Sequence, residues 1–326
     1  MTALWRAFWF SVFAIAGISA AILLLEPTLS QIDLLPDQGF AWYYWKLPEQ
    51  TLGGQLSAWG FYALHQVFFW GLIWWGQANR DKLRDRGKLH PINVIGLLGT
   101  GGFALLHYLQ TAVWYDGLAQ DTSVFSSQVS VILLLVLVLM IEAPRRGLVF
   151  GYGGGWLAGV RSTLIRYHGY YFAWAITYTF WFHPMETTPG HILGFFYTLL
   201  LMVQGSLAFT RVHTNKWWTG VLEISVLIHG VVVALVAGQE FWTMFFFGFS
   251  AMFVVTQMHG LGLSRLVRGL ILLSWFAGVL WVYQGKGWEY LNEVVRIPAI
   301  DYLLVIAMGG LLVLWRRYKL RSVQAG

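Results

Sequence analysis

No cysteine occurs in the 326 residues, so disulfides, thiolate metal sites, iron–sulfur clusters and cysteine nucleophiles are excluded. Any metal must be held by His, carboxylate or Met. Charge is scarce: only 11% of residues are Asp, Glu, Lys or Arg, against about 25% in an ordinary soluble domain. Proline is rare, with eight residues in all, and span interiors nearly lack it, so the broken helices that build many transport sites are not signalled. No sequence repeat relates the two halves.

What is abundant points to a lipid environment. Hydrophobic residues make up 57% of the chain, including nineteen Trp, fifteen Tyr and twenty-three Phe. Lipid-facing surface and headgroup-level belts accommodate such aromatics more readily than a small soluble core does. The formal charge of +6 does not indicate nucleic acid, because the basic residues fall in short clusters between apolar runs. The fold class expected is all-α, a polytopic transmembrane bundle forming a single integral membrane domain over 1–326.

A hydrocarbon core about 30 Å thick needs roughly 20 apolar residues per helix. That ruler gives ten spans, at 4–25, 55–78, 92–113, 126–143, 167–183, 190–210, 217–237, 241–259, 268–283 and 297–315. The fourth and ninth are short, which leaves nine as an alternative. With the N-terminus inside, eighteen of the twenty-one Lys and Arg residues fall on the cytoplasmic side, and only Lys46, Lys286 and Arg296 lie outside. The asymmetry puts both termini in the cytoplasm and the protein in the cell membrane. The first segment also has the outline of a signal peptide, with Arg6 before an apolar run ending in small residues at Ser19–Ala21, although it is long enough to span.

The external loop 26–54 holds Phe40, Trp42, Tyr43, Tyr44 and Trp45 and reads as an interfacial segment. The cytoplasmic basic loops are 79–91 and 144–166. The second contains Gly151, Gly153, Gly154 and Gly155 but lacks the Gly-Lys-Ser/Thr ending of a phosphate loop, so a flexible membrane-hugging connector is expected.

Eight of nine histidines fall in spans or at their ends, where polar groups are costly and usually have a purpose. His65 and His229 lie near the midplane and His107 slightly outward. His183 and His191 flank the outer turn that contains Glu186. His168, His213 and His259 lie at the inner face. Gly96, Thr100 and Ala104 form a small-residue stripe that His107 continues, directing it into the bundle. His65, His107, His229 and His168 are candidate cofactor ligands, a single haem held by two of the first three fitting the depths best. His183 and His191 are candidate metal ligands at the outer face, as are His213 and His259 at the inner face. Glu223 and Glu186 are the candidate catalytic carboxylates, Glu223 lying at the depth of His213 and His259. Asp301, also intramembrane, is costly unless paired or neutralised. Each residue has a structural alternative: a packed histidine, a Glu223 paired with a nearby Arg, or a plain tight turn around Glu186.

No histidine pair has the HxxxH or HxxHH spacing of membrane alkane hydroxylases and desaturases. The primary expectation is a membrane redox protein or oxidoreductase using haem or another histidine-bound metal, with a lipid-soluble, quinone-like carrier as partner. The alternatives are a proton-coupled transporter with five plus five inverted spans, a non-catalytic assembly or scaffold protein, and an acid–base enzyme acting on lipids.

Overall fold

The structure, a computed structural model, describes residues 1–29, 46–236, 238 and 240–324. It is 81% helical with no strands among these residues. The helices are α1 (Ala3–Leu24), α2 (Leu52–Ala78), α3 (Pro91–Trp114), α4 (Val124–Arg146), α5 (Ala158–Phe180), α6 (Pro189–Ser206), α7 (Lys216–Val236), α8 (Trp242–Val255), α9 (Arg265–Lys286) and α10 (Glu293–Gln324). Six segments are long and apolar enough to cross a membrane: α1, α3, α4, α7, α9 and Trp288–Tyr318, which holds most of α10. The other helices are less aliphatic or shorter. α2 and α5 carry Trp, Tyr, His and Gly among their apolar residues, and α8 has 14 residues. Phe40 and Trp42–Trp45, the aromatic part of the expected interfacial loop, lie outside the described residues.

The chain divides into two compact units, residues 1–131 with 169–222 and residues 132–168 with 223–326. In the first, α1 buries Leu4, Phe8, Ser11, Ile15, Ser19 and Ile22, a helical stripe three to four residues apart. On its other face Phe10 and Phe13 stay exposed, at 73% and 70%, as a lipid-facing surface requires. α1 and α3 both pack on α6. The stripe Gly96, Thr100 and Ala104 is buried there, and a Cβ on Gly96 would lie 3.0 Å from Ser206. Thr100 and Ser206 hydroxyls are 3.2 Å apart, so glycine permits the approach and a hydrogen bond spans it. His90, in a charged loop, is buried and caps α3 in a reciprocal box with Asn93.

In the second unit α8 packs closely on α10. A Cβ on Gly248 would lie 2.9 Å from the Ile297 side chain. Lys286 donates to Glu293 at 2.8 Å, while Thr243 and Tyr283 hydroxyls donate to the same carboxylate, so the buried charge is fully satisfied.

The connector expected over 144–166 is shorter and more constrained than its composition suggests. α4 continues to Arg146 and α5 begins at Ala158, leaving 147–157. Gly147 and Gly151 have φ of 72° and 84°, conformations that favour glycine. Leu148 N–H donates to Tyr152 O, Phe150 N–H donates to Val255 O, and Tyr302 and Thr256 hydroxyls donate to Leu148 O. The glycines serve a hydrogen-bonded turn tied to α8 and α10.

Candidate functional site

The first unit concentrates the polar chemistry. α2 carries His65 and α3 carries His107, exposed only 0% and 1%. Between them stands Trp181, just beyond α5. Its indole N–H donates to His65 Nδ1 at 3.0 Å, and its ring stacks on His107 with centroids 4.6 Å apart. Phe103 stacks on His65 at 3.8 Å and 6°, and Phe180 meets both imidazoles edge-on. Two of the three candidate haem ligands, His65 and His107, are thus brought together by aromatic rings.

The hydrogen bonds assign the tautomers. Trp181 occupies the lone pair of His65 Nδ1, so the neutral ring carries its proton on Nε2, a buried atom without a partner. His107 is reversed in character: one ring nitrogen is hydrogen-bonded to the backbone of His183, and Nδ1 is buried and unpartnered. A metal-ligating histidine anchors one nitrogen to a carbonyl, carboxylate or water and presents the other. His107 has that arrangement; His65 is a hydrogen-bond donor at Nε2. The adjacent Gln66, also buried, has both amide atoms unpartnered.

Toward the loop ends of these helices lies a second polar group. The His183 and His191 rings meet at 4.0 Å, and the turn between them is pinned by Met185 N–H donating to Thr111 Oγ1 at 2.9 Å. Glu186 accepts a short hydrogen bond from Tyr115, and Thr187 donates to Glu26 at 2.9 Å. Tyr115 ends α3 with φ of 43°, a left-handed conformation uncommon without glycine. Asp116, exposed 1%, accepts from Gly117 N–H and the Gln50 amide. Leu118 and Ala119 N–H donate to Trp181 and Phe182 carbonyls, docking the α3–α4 connection on the turn that carries the histidines. Burial pushes the Glu186 carboxyl up to about 7 and that of Asp116 up to about 6, since a charged carboxylate loses its hydration there. Both therefore exchange protons near neutral pH.

The remaining candidates are distributed differently. Glu223 forms an ion pair with Arg146 at 2.5 Å. His259 has both ring nitrogens engaged, Nε2 with Val254 O and Nδ1 with the Arg268 guanidinium. His213 Nδ1 contacts Gln204 O at 2.8 Å and His168 Nδ1 contacts Ile165 O at 2.8 Å. His229 is half-buried on α7 in the second unit. Asp301 is exposed only 3% and makes no ion pair among the described residues. No three His or carboxylate side chains converge to hold a metal ion among the described residues.

Sequence reading did not single out Trp181, Phe103, Phe180, Tyr115 or Asp116. Trp181 is one of nineteen tryptophans, and only its position two residues before His183 distinguishes it. Comparison with protein-family models, curated proteins and solved structures finds no match to this chain.

Proposed function

We propose that the chain is a ten-span protein of the cell membrane with both termini in the cytoplasm, and that its first unit performs redox chemistry with a lipid-soluble, quinone-like carrier. The topology is supported by the placement of eighteen of twenty-one basic residues on one side. The redox reading rests chiefly on His107: a fully buried imidazole, anchored to backbone at one nitrogen and without a hydrogen-bond partner at the other, is a residue type suited to ligate a haem or metal ion. Such a group would supply the electron transfer, while this chain's own residues handle protons. Oxidation of a quinol-type carrier releases protons together with electrons, and Glu186 and Asp116, with carboxyls near neutral pKa, are suited to accept them. Trp181 holds His65 and packs on His107, keeping water from both rings.

The test is a dithionite-reduced minus oxidised absorption spectrum of the detergent-purified protein, with bound metals quantified on the same sample. Haem α and Soret bands, or stoichiometric metal lost on His107→Ala substitution, are expected. A featureless, metal-free sample overturns the redox reading.

A second reading, proton-coupled transport, is supported by the polar series Glu186, His183, His107 and His65 running inward from the turn. The compact units interleave segments from both halves of the chain, so they do not follow the division into five plus five spans. Proton uptake that persists in metal-free vesicles and is lost in Glu186→Gln would favour transport.

A further inference from the structure

The second unit contains a cavity of about 340 Å³, lined by Met140, Ala143, Leu157, Ala158, the Gly153–Gly155 backbone and Arg161, with Pro144 at its edge. Its volume falls in the range of ligand-binding clefts, roughly 300–1,000 Å³. Its origin is local. Pro144 lies inside α4 and has no N–H for the Met140 carbonyl, so the last turn of the helix is loosened. The three glycines then pass the opening without side chains. A Cβ on Gly153 or Gly155 would meet nothing within 4 Å.

The floor is apolar, and the lining holds one charged group. Arg161 donates from Nε to Ile141 O at 2.8 Å, which fixes the guanidinium plane. Its terminal amino groups have no ion-pair partner among the described residues. Next in sequence to the lining glycines stand exposed aromatic side chains, Tyr152 at 80% and Trp156 at 45%, of the kind that sit at headgroup level. Arg316 donates to the carbonyl of Gly159, the residue after the lining Ala158. An apolar recess, a fixed cation without a counter-charge and exposed aromatic neighbours at the end of an apolar span together match an amphiphile with an anionic head.

We propose that this cavity binds one anionic phospholipid, an acyl chain occupying the recess and the phosphate accepting hydrogen bonds from Arg161. Free phosphate has no use for the apolar floor, and a zwitterionic lipid lacks the net charge that Arg161 complements.

The test titrates phosphatidylglycerol or phosphatidylcholine of matched chain length into delipidated, detergent-purified full-length protein and counts bound lipid by native mass spectrometry. Phosphatidylglycerol is expected to bind one per chain with about a tenfold preference, of the order of one net lipid charge meeting a nearby cation, since the choline of phosphatidylcholine offsets the charge of its own phosphate. Arg161→Gln abolishes the preference. Gly155→Leu, a substitution at a position without positive φ, fills the recess and lowers binding of both lipids. Arg166→Gln, the same charge change on the same helix away from the cavity, leaves the preference intact. Equal binding of the two lipids, or an Arg166→Gln loss as large as that of Arg161→Gln, overturns the proposal in favour of bulk surface charge. Displacement by inorganic phosphate overturns it in favour of a free-anion site. If Arg161→Gln does not fold, wild-type binding by Gly155→Leu is sufficient to reject it.

Discussion

Trp181 donates its indole N–H to His65 Nδ1 at 3.0 Å while its ring face lies against His107. One side chain thereby sets the tautomer of one buried imidazole and the packing of another. Replacing Trp181 with Phe keeps most of the aromatic volume but leaves His65 Nδ1 unsatisfied in a buried site. The expected cost is about 1–3 kcal/mol, read as a lowered thermal midpoint of the purified protein. A midpoint equal to wild type would show that the hydrogen bond contributes nothing to stability.

Glu186 governs a pH dependence whose direction follows from its burial. Its carboxyl is raised from the usual 4.5 to about 7, so the folded state holds a proton that the unfolded state has already released. Stability from this group is complete below the ordinary carboxylate pKa and is lost as pH rises through about 7. Asp116, raised to about 6, adds a slope of the same sign at lower pH. Unfolding measured across pH 4 to 8 should show declining stability in wild type. Glu186→Gln should flatten the upper part by roughly 3 kcal/mol at most and retain the lower part.

Arg146 and Glu223 form a buried pair at 2.5 Å, with the Arg146 side chain wholly enclosed. Removing one partner strands the other, so Arg146→Met should cost about 3–5 kcal/mol and sharply lower the yield of folded protein. The double variant Arg146→Met with Glu223→Leu should recover most of that loss. A double variant that costs the sum of the two single variants would mean that the pair is not coupled.

Gly117 lies where the α3–α4 connection docks on the histidine-bearing turn, and an added Cβ would sit 2.8 Å from both His183 Cα and Phe182 O. Both are backbone atoms that cannot swing aside. Gly117→Ala should therefore push the two segments apart, exposing Tyr115 and Glu186 and returning the Glu186 carboxyl toward its ordinary range. Loss of the wild-type pH dependence, with helical content retained by circular dichroism, is the expected result.

The elements readable from sequence were those written in periodicity. The inward direction of His107 follows from residues three and four apart, and the structure places Gly96, Thr100, Ala104 and His107 on a buried face against α6. Glu223 was legible as a costly charge, and pairing with an arginine was one of the two outcomes foreseen. The hydrogen bonding of the glycine-rich connector was not legible. Positive φ angles and hydrogen bonds to Leu148 and Val255 depend on chain segments about a hundred residues away, which composition does not encode.

The sequence by itself determined a helical chain rich in apolar segments, without thiol chemistry, and with histidines placed where burial makes polarity costly. These properties belong to single segments and need only local spacing and transfer energies. The tertiary structure alone decided which imidazole is anchored and which is a donor, that Trp181 joins His65 to His107, and that Tyr115 meets Glu186. Hydrogen-bond partners and ring stacking depend on how helices distant in sequence rotate against one another, and that rotation is set by the packing of the whole unit.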